Sequence, residues 1–374
     1  MENVYRRLSE AYGYAGSKYC PKIFEMCLSK QEAQFLLSLP GTVAEVATKS
    51  FIELPAAELL LRELFDKGFI FYDSIEGEHR YALIKDLLTA ITISKWSDQF
   101  GKEFFDLCDR MIDEELSPGF DVEGYAFRVI PVQKTIEPGT EILPYENVAQ
   151  IIEQAETIAV YRCMCRTIAR RCNNPVETCF AFDETAKYIL ERGVGREPSK
   201  EEALSILNTC EDAGLVHQVA NASGLHGMLC NCCTCCCAYL RAQITLGRKH
   251  ADVKSRYRAV LSPELCNECG LCGDRCNFGA IEMVDSKPVI DEEKCFGCGL
   301  CASKCPANAI RLVQVRGPEH IPVEEADPLF SSVESSWFQK AFFNPIASHF
   351  GFQRSLHFVL SVSRILAKIP RLKR

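Results

Sequence analysis

Two segments decide how this chain is read: 266-CNECGLCGDRCN-277 and 295-CFGCGLCASKCP-306. Each places four cysteines in the spacing C-x2-C-x2-C-x3-C: Cys266, Cys269, Cys272 and Cys276 in the first, Cys295, Cys298, Cys301 and Cys305 in the second. One metal-binding unit has been repeated. Thiols three residues apart can wrap a loop around a compact inorganic core, and glycines at 270, 273, 297 and 299 allow the backbone angles such a loop needs. Short apolar runs, 280–284 and 309–313, follow the loops and read as strands, with 287–290 as a partner strand. Paired C-x2-C units also bind zinc, but zinc sites draw on two separated pairs rather than on four cysteines in one tight run.

The repeat resembles the bacterial-type ferredoxin domain that carries two [4Fe–4S] clusters, over about residues 260–313. In that family the fourth cysteine of each run ligates the other cluster. The resemblance therefore implies one cluster on Cys266, Cys269, Cys272 and Cys305, and another on Cys295, Cys298, Cys301 and Cys276. Asn277 stands where the family usually has proline, which removes no ligand.

Outward from the repeat, the thiols continue. Nineteen of the 22 cysteines lie between Cys163 and Cys305, and only Cys20, Cys27 and Cys108 precede them. Upstream, 161-YRCMCRTIARRCNNPVETCF-180 holds Cys163, Cys165, Cys172 and Cys179. Further on, 229-LCNCCTCCCAYL-240 holds Cys230, Cys232, Cys233, Cys235, Cys236 and Cys237. These ten are candidate metal ligands, enough for one or two additional iron–sulfur clusters. Consecutive side chains of an extended segment face opposite sides, so Cys232 and Cys233 are expected to serve different sites. Cys163 and Cys165 are read as facing one way from the end of a strand that begins near Thr157. A single larger cluster, a zinc site using four thiols, and cysteines packed as small hydrophobes remain open. His217 and His226 lie close enough to be considered as ligands. Arg162, Arg166, Arg170 and Arg171 could offset thiolate charge. Cys210 falls on the apolar face of a helix opened by Ser199 and closed near Gly214, and reads as core.

The N-terminal region reads as three helices (31–39, 43–49, 54–67) and a hairpin turning near Glu76-Gly77, a pattern that resembles a winged-helix domain. The third helix sets Arg62 and Lys67 against Glu58, Glu63 and Asp66, which disfavours contact with nucleic-acid phosphates. A docking or scaffolding role is expected instead, with an iron–sulfur redox-sensing regulator as the alternative. At the other end, residues 335–374 carry seven basic and no acidic side chains, with Phe358, Val362, Ile365 and Ile369 at helical spacing. This basic amphipathic tail suits the surface of a membrane, a partner's groove or the acidic body of the chain itself.

The fold class expected is α+β, in four parts: a helical, winged-helix-like domain (1–117), a Cys-rich metal-binding domain (118–259), a ferredoxin-like domain (260–316), and a linker with the basic tail (317–374). With 374 residues and 47% hydrophobic content, the chain can build an ordinary core without disulfides. The first residues, MENVYRRLSEAYGYAG, lack the apolar run of a signal peptide, and so many thiols suit a reducing, cytoplasmic setting. No nucleophile–base pair and no dinucleotide fingerprint is present. The sequence thus points to a cytoplasmic electron-transfer protein, a subunit or accessory of a larger redox complex that meets redox partner proteins. An oxidoreductase with an unusual cluster in the Cys-rich domain is the other reading.

Overall fold

The computed structural model describes residues 3–75, 77–121, 127–221 and 227–322. The basic tail and His226 lie outside the described residues. Among the described residues, no helix is long and apolar enough to cross a membrane.

The N-terminal third is helical. Helices Lys30–Leu36 and Val43–Ser50 each begin with a reciprocal capping box, Ser29 with Glu32 and Thr42 with Glu45, which satisfies two orphan backbone donors per helix. Helix Leu54–Lys67 follows and ends at Gly68 in the left-handed region. Strands β1 (Ile70–Ile75) and β2 (Glu78–Leu83) then pair antiparallel, and Gly41 bridges to Tyr81 beside them. Helix Val4–Ala11 packs on helices Cys20–Cys27 and Lys30–Leu36, and helix Cys20–Cys27 packs on helix Gly101–Met111; helix Leu87–Thr92 follows β2. Cys20, Cys27 and Cys108 are buried in this core.

The middle of the chain is a seven-stranded sheet. Its strands are β3 (Phe127–Ile130), β4 (Ile158–Arg162), β5 (Glu177–Phe182), β6 (Gly195–Arg196), β7 (Val216–Ala220), β8 (Met228–Cys232) and β9 (Asp252–Val253), in the order β6-β4-β5-β8-β7-β3-β9. Every pairing is antiparallel except β3 with β9. The two-residue alternation of strands sorts the side chains cleanly. Ile158, Val160, Phe180, Phe182 and Leu229 face helices Val148–Gln154 and Lys200–Asp212. Ala159, Tyr161, Cys179, Ala181 and Met228 face the N-terminal helical core. Cys179 of the sheet thus faces the N-terminal third.

The last part holds β10 (Tyr257–Leu261), β11 (Ile281–Val284), β12 (Lys287–Ile290) and β13 (Ile310–Gln314), paired β10 with β13 and β11 with β12. It is tied to the sheet domain by backbone bonds from Val132 N to Cys298 O and from Glu137 N to Leu312 O, both 2.9 Å. Arg275 donates to the carbonyls of Glu211 and Asp212 at the end of helix Lys200–Asp212. Asn277 Nδ2 donates to Gly214 O at 2.9 Å, so the residue that departs from the family's proline fastens its loop to the sheet domain.

Candidate metal centres

The eight cysteines of the repeat surround two cavities. Cys266, Cys269, Cys272 and Cys305 line one, with Leu261, Pro288 and Ile310. Cys276, Cys295, Cys298 and Cys301 line the other, with Phe296, Ile290 and Leu312. In both, the fourth thiol crosses over from the opposite loop. The two halves also repeat a backbone contact: Ala280 N donates to Cys276 Sγ at 3.2 Å and Ala309 N to Cys305 Sγ at 3.3 Å. Such N–H···S bonds stabilise thiolate charge and are one means of setting cluster potential. Each cavity thus brings together four thiols, the donor set that holds a cuboidal iron–sulfur core. The cavities differ in exposure, since Cys269 is exposed whereas Cys295 and Cys301 are buried.

The ten central thiols separate into six and four. Cys163, Cys165, Cys237, Cys232, Cys230 and Cys179 follow one another as a ring of electrostatic neighbours, each thiol shifting the next and the last acting on the first. Three segments build it. β5 supplies Cys179; β8 supplies Cys230 and Cys232, two residues apart and so on one face. Cys163 and Cys237 each occupy the residue before a helix, Met164–Ala169 and Ala238–Ile244. Cys165 was expected on a strand with Cys163, but β4 ends at Arg162 after a bulge and the chain turns directly into the helix carrying Cys165. The two thiols meet across that first helical turn. Neighbouring thiols act on one another in alternation: Cys163, Cys230 and Cys237 are held below the usual range, Cys230 at about 6, while Cys165, Cys179 and Cys232 are raised. The fully buried Tyr161 hydroxyl faces Cys179, Cys230 and Cys163 and has no hydrogen-bond partner among the described residues. A buried polar atom left without a partner beside six thiols suits a site made to hold an inorganic group.

The other four are Cys172, Cys233, Cys235 and Cys236, whose sulfurs all lie within 4.8 Å of one another. Cys172 comes from the loop after helix Met164–Ala169, and the rest from the turn between β8 and helix Ala238–Ile244. A hydrogen bond from Cys236 and the nearby Arg166 guanidinium bring the Cys233 thiol down to about 5. Cys210 is buried next to this group, against Leu215, Cys233 and Cys236, without joining it. Burial pushes its thiol up to about 12.

Of the four arginines near the first thiols, Arg166 alone is buried and reaches a sulfur, Cys233 Sγ, at 3.8 Å. Arg162 pairs with Asp98, Arg170 with Asp106, and Arg171 with Asp109 and Asp113, all on the N-terminal helical part. The sequence reading missed Arg241, nearly fully buried, which pairs with Asp109 and Asp113 and donates to Cys236 O. Its one visible sign is a charged residue inside the apolar helix after the cysteine run. His217 is not available as a ligand: Nδ1 bonds to Asn231 Oδ1 at 2.5 Å and Nε2 faces Glu211 at 3.5 Å.

The six-thiol ring and the repeat share one apolar cluster. Cys232 and Cys237 pack there with Val129, Val132 and Leu240 of the sheet domain and with Phe296, Leu300 and Cys298 of the repeat. The 4Fe–4S binding domain family matches residues 288–311, which contain Cys295, Cys298, Cys301 and Cys305. Neither the curated proteins nor the solved structures give a match. The chain is an iron–sulfur protein with a 4Fe–4S binding domain in the second half of its repeat.

Proposed function

We propose that this protein relays single electrons between redox partners, through two [4Fe–4S] clusters in the repeat and a further iron–sulfur cluster in the six-thiol ring. The observation that carries the reading is the shared apolar cluster, to which Cys298 of the repeat and Cys232 and Cys237 of the ring all belong. When bound, iron–sulfur clusters supply one-electron chemistry whose potential follows burial, charge and hydrogen bonds to sulfur.

The chain's own residues supply the rest. Cys266, Cys269, Cys272 and Cys305 would hold one cluster of the repeat and Cys276, Cys295, Cys298 and Cys301 the other. Phe296, Phe278 and Leu300 keep water away from the side of the repeat that meets the sheet, and Phe278 stacks on Phe296 with ring centroids 4.3 Å apart. Val132 fixes the Cys298 loop through its backbone bond. Arg166 places positive charge against the ring. The more exposed loop around Cys269 suits entry or exit of electrons at a partner's surface.

The N-terminal helices and hairpin fit a docking role, in keeping with a winged-helix-like arrangement. Phe51 is 96% exposed, and Leu54 and Leu59 stand exposed on the helix that follows it. Apolar side chains among Glu58, Glu63 and Asp66 suit a protein partner better than a nucleic acid. A subunit or accessory of a larger redox complex in the cytoplasm accommodates all of these features.

The test is a stopped-flow reduction of the full chain, purified without oxygen, after iron and sulfide have been counted. The expected result is more iron and sulfide than the repeat's eight cysteines account for, with the excess lost in Cys232→Ser. Substituting Cys298 should slow reduction of the ring's cluster at least tenfold. If Cys232→Ser leaves iron and sulfide unchanged, the ring holds no cluster and the relay reading fails.

A further inference from the structure

Cys172, Cys233, Cys235 and Cys236 stand apart from every other thiol group in the molecule by their spacing. The sulfurs of Cys172 and Cys233 are 3.8 Å apart, those of Cys172 and Cys236 also 3.8 Å, and those of Cys235 and Cys236 3.7 Å. A zinc ion holds thiolates at about 2.3 Å in a tetrahedron, whose edge is then about 3.8 Å. Three of the six sulfur–sulfur edges already match such an ion, and the other three lie within 4.8 Å. A cubane needs more room, because each cysteine caps a different corner iron and the sulfides lie between them. The repeat's thiols are set wider: among the described residues, Cys172, Cys233, Cys235 and Cys236 alone bring all four sulfurs within 4.8 Å of one another.

We infer that Cys172, Cys233, Cys235 and Cys236 bind a single zinc ion, a structural site that takes no part in electron transfer. The surroundings suit four thiolates on one dication, a unit of net charge −2. Asn174 Nδ2 donates to Cys172 Sγ at 3.5 Å and Arg166 Nη1 to Cys233 Sγ at 3.8 Å. Arg171 Nη1 donates to Cys235 O at 3.3 Å. Cys233 and Cys236 are buried and Cys172 and Cys235 half-buried, as in closed structural sites that admit no substrate. The ion would clamp the 170–176 loop to the turn after β8. Cys232 and Cys237, at either side of that turn, belong to the ring and not to this site.

The experiment uses the full chain purified without oxygen, with iron and sulfide at their anaerobic maximum so that zinc cannot be filling vacant cluster sites. The expected result is one zinc per chain, with four sulfurs at about 2.3 Å in zinc-edge X-ray absorption. Cys172→Ser should lower zinc at least fivefold and leave sulfide unchanged. Should that variant fail to fold, Cys172→His should keep the zinc, with one sulfur replaced by nitrogen in its shell. A wild-type protein without zinc overturns the inference, and so does sulfide lost together with Cys172 or a zinc shell that ignores both substitutions. The iron and sulfide counts report on the relay reading separately, so the two can fail independently.

Discussion

Arg166 and Cys233 meet at 3.8 Å, and through that contact one buried guanidinium stands between the two central thiol groups. Its Nη1 also donates to Asn231 O at 2.8 Å and its Nη2 to Thr178 Oγ1. Burial acts to lower its pKa, but the thiolate charges of Cys163, Cys179 and Cys232 more than reverse this, so it stays protonated. A fixed cation favours the reduced, more negative state of a neighbouring cluster. Arg166→Met should therefore lower the midpoint potential of the ring's cluster by on the order of 100 mV, taking an effective dielectric near 20. Arg166→Lys should retain part of it, and Arg162→Met, whose charge is already met by Asp98, should leave it nearly unchanged. Redox titration followed by electron paramagnetic resonance would show this; an unshifted potential in Arg166→Met rules out the charge assignment.

A second buried charge group joins the sheet domain to the repeat. Glu146 accepts from Arg256 Nε at 2.9 Å and faces Arg128 Nη1 at 4.0 Å, all three fully buried. Replacing one member of such a group leaves the others charged and unpaired. Glu146→Gln should cost about 3–5 kcal/mol of stability. Denaturant unfolding under strictly anaerobic conditions measures it, and a change below about 1 kcal/mol would mean that water enters the site and screens the two arginines.

The two cavities of the repeat should differ in their tolerance of oxidants. Cys269 is exposed, whereas Cys295 and Cys301 are buried. Solvent access governs oxidative loss as well as potential. Iron release on exposure to air is expected in two phases, the faster arising from the cavity of Cys266, Cys269, Cys272 and Cys305. Cys269→Ser should abolish the fast phase and spare the slow one. Single-phase release in the wild type would show that the exposure difference has no consequence.

Two glycines separate backbone strain from collision. Gly297 has φ +69°, and a Cβ there would strike the Tyr257 carbonyl oxygen and the Ser255 hydroxyl. Gly279 has φ +61° with nothing near its missing Cβ. Gly279→Ala should cost about 1–2 kcal/mol, the price of a left-handed alanine. Gly297→Ala adds displacement of the Cys295–Cys301 loop from β10, and should also lower the iron bound by that cavity at least twofold. Equal iron content in the two variants would contradict this.

What could be read in the sequence was local. The repeated C-x2-C-x2-C-x3-C spacing marks the loops of the repeat, and the capping residue Ser199 marks helix Lys200–Asp212. Strand alternation also sends Cys232 and Cys233 to different groups. That rule stops at Cys235 and Cys236, because the chain turns there and both sulfurs fall on one side. The pairing of Cys163 with Cys179 and Cys230 depends on the sheet order β4-β5-β8, which no short stretch encodes. The same is true of the acids that meet Arg162, Arg170 and Arg171, which come from helices more than 50 residues upstream.

The six-thiol ring draws its members from Cys163 to Cys237, whereas each loop of the repeat gathers three cysteines within seven residues. This difference sets an order of maturation. A loop of the repeat can present three thiols as soon as it is made, but the ring does not exist as a binding site until β5 and β8 are in register and both flanking helices have started. Delivery of iron and sulfide to the ring is thereby conditional on a correctly folded sheet, and a misfolded chain would be left with its ring thiols unmetallated and open to oxidation.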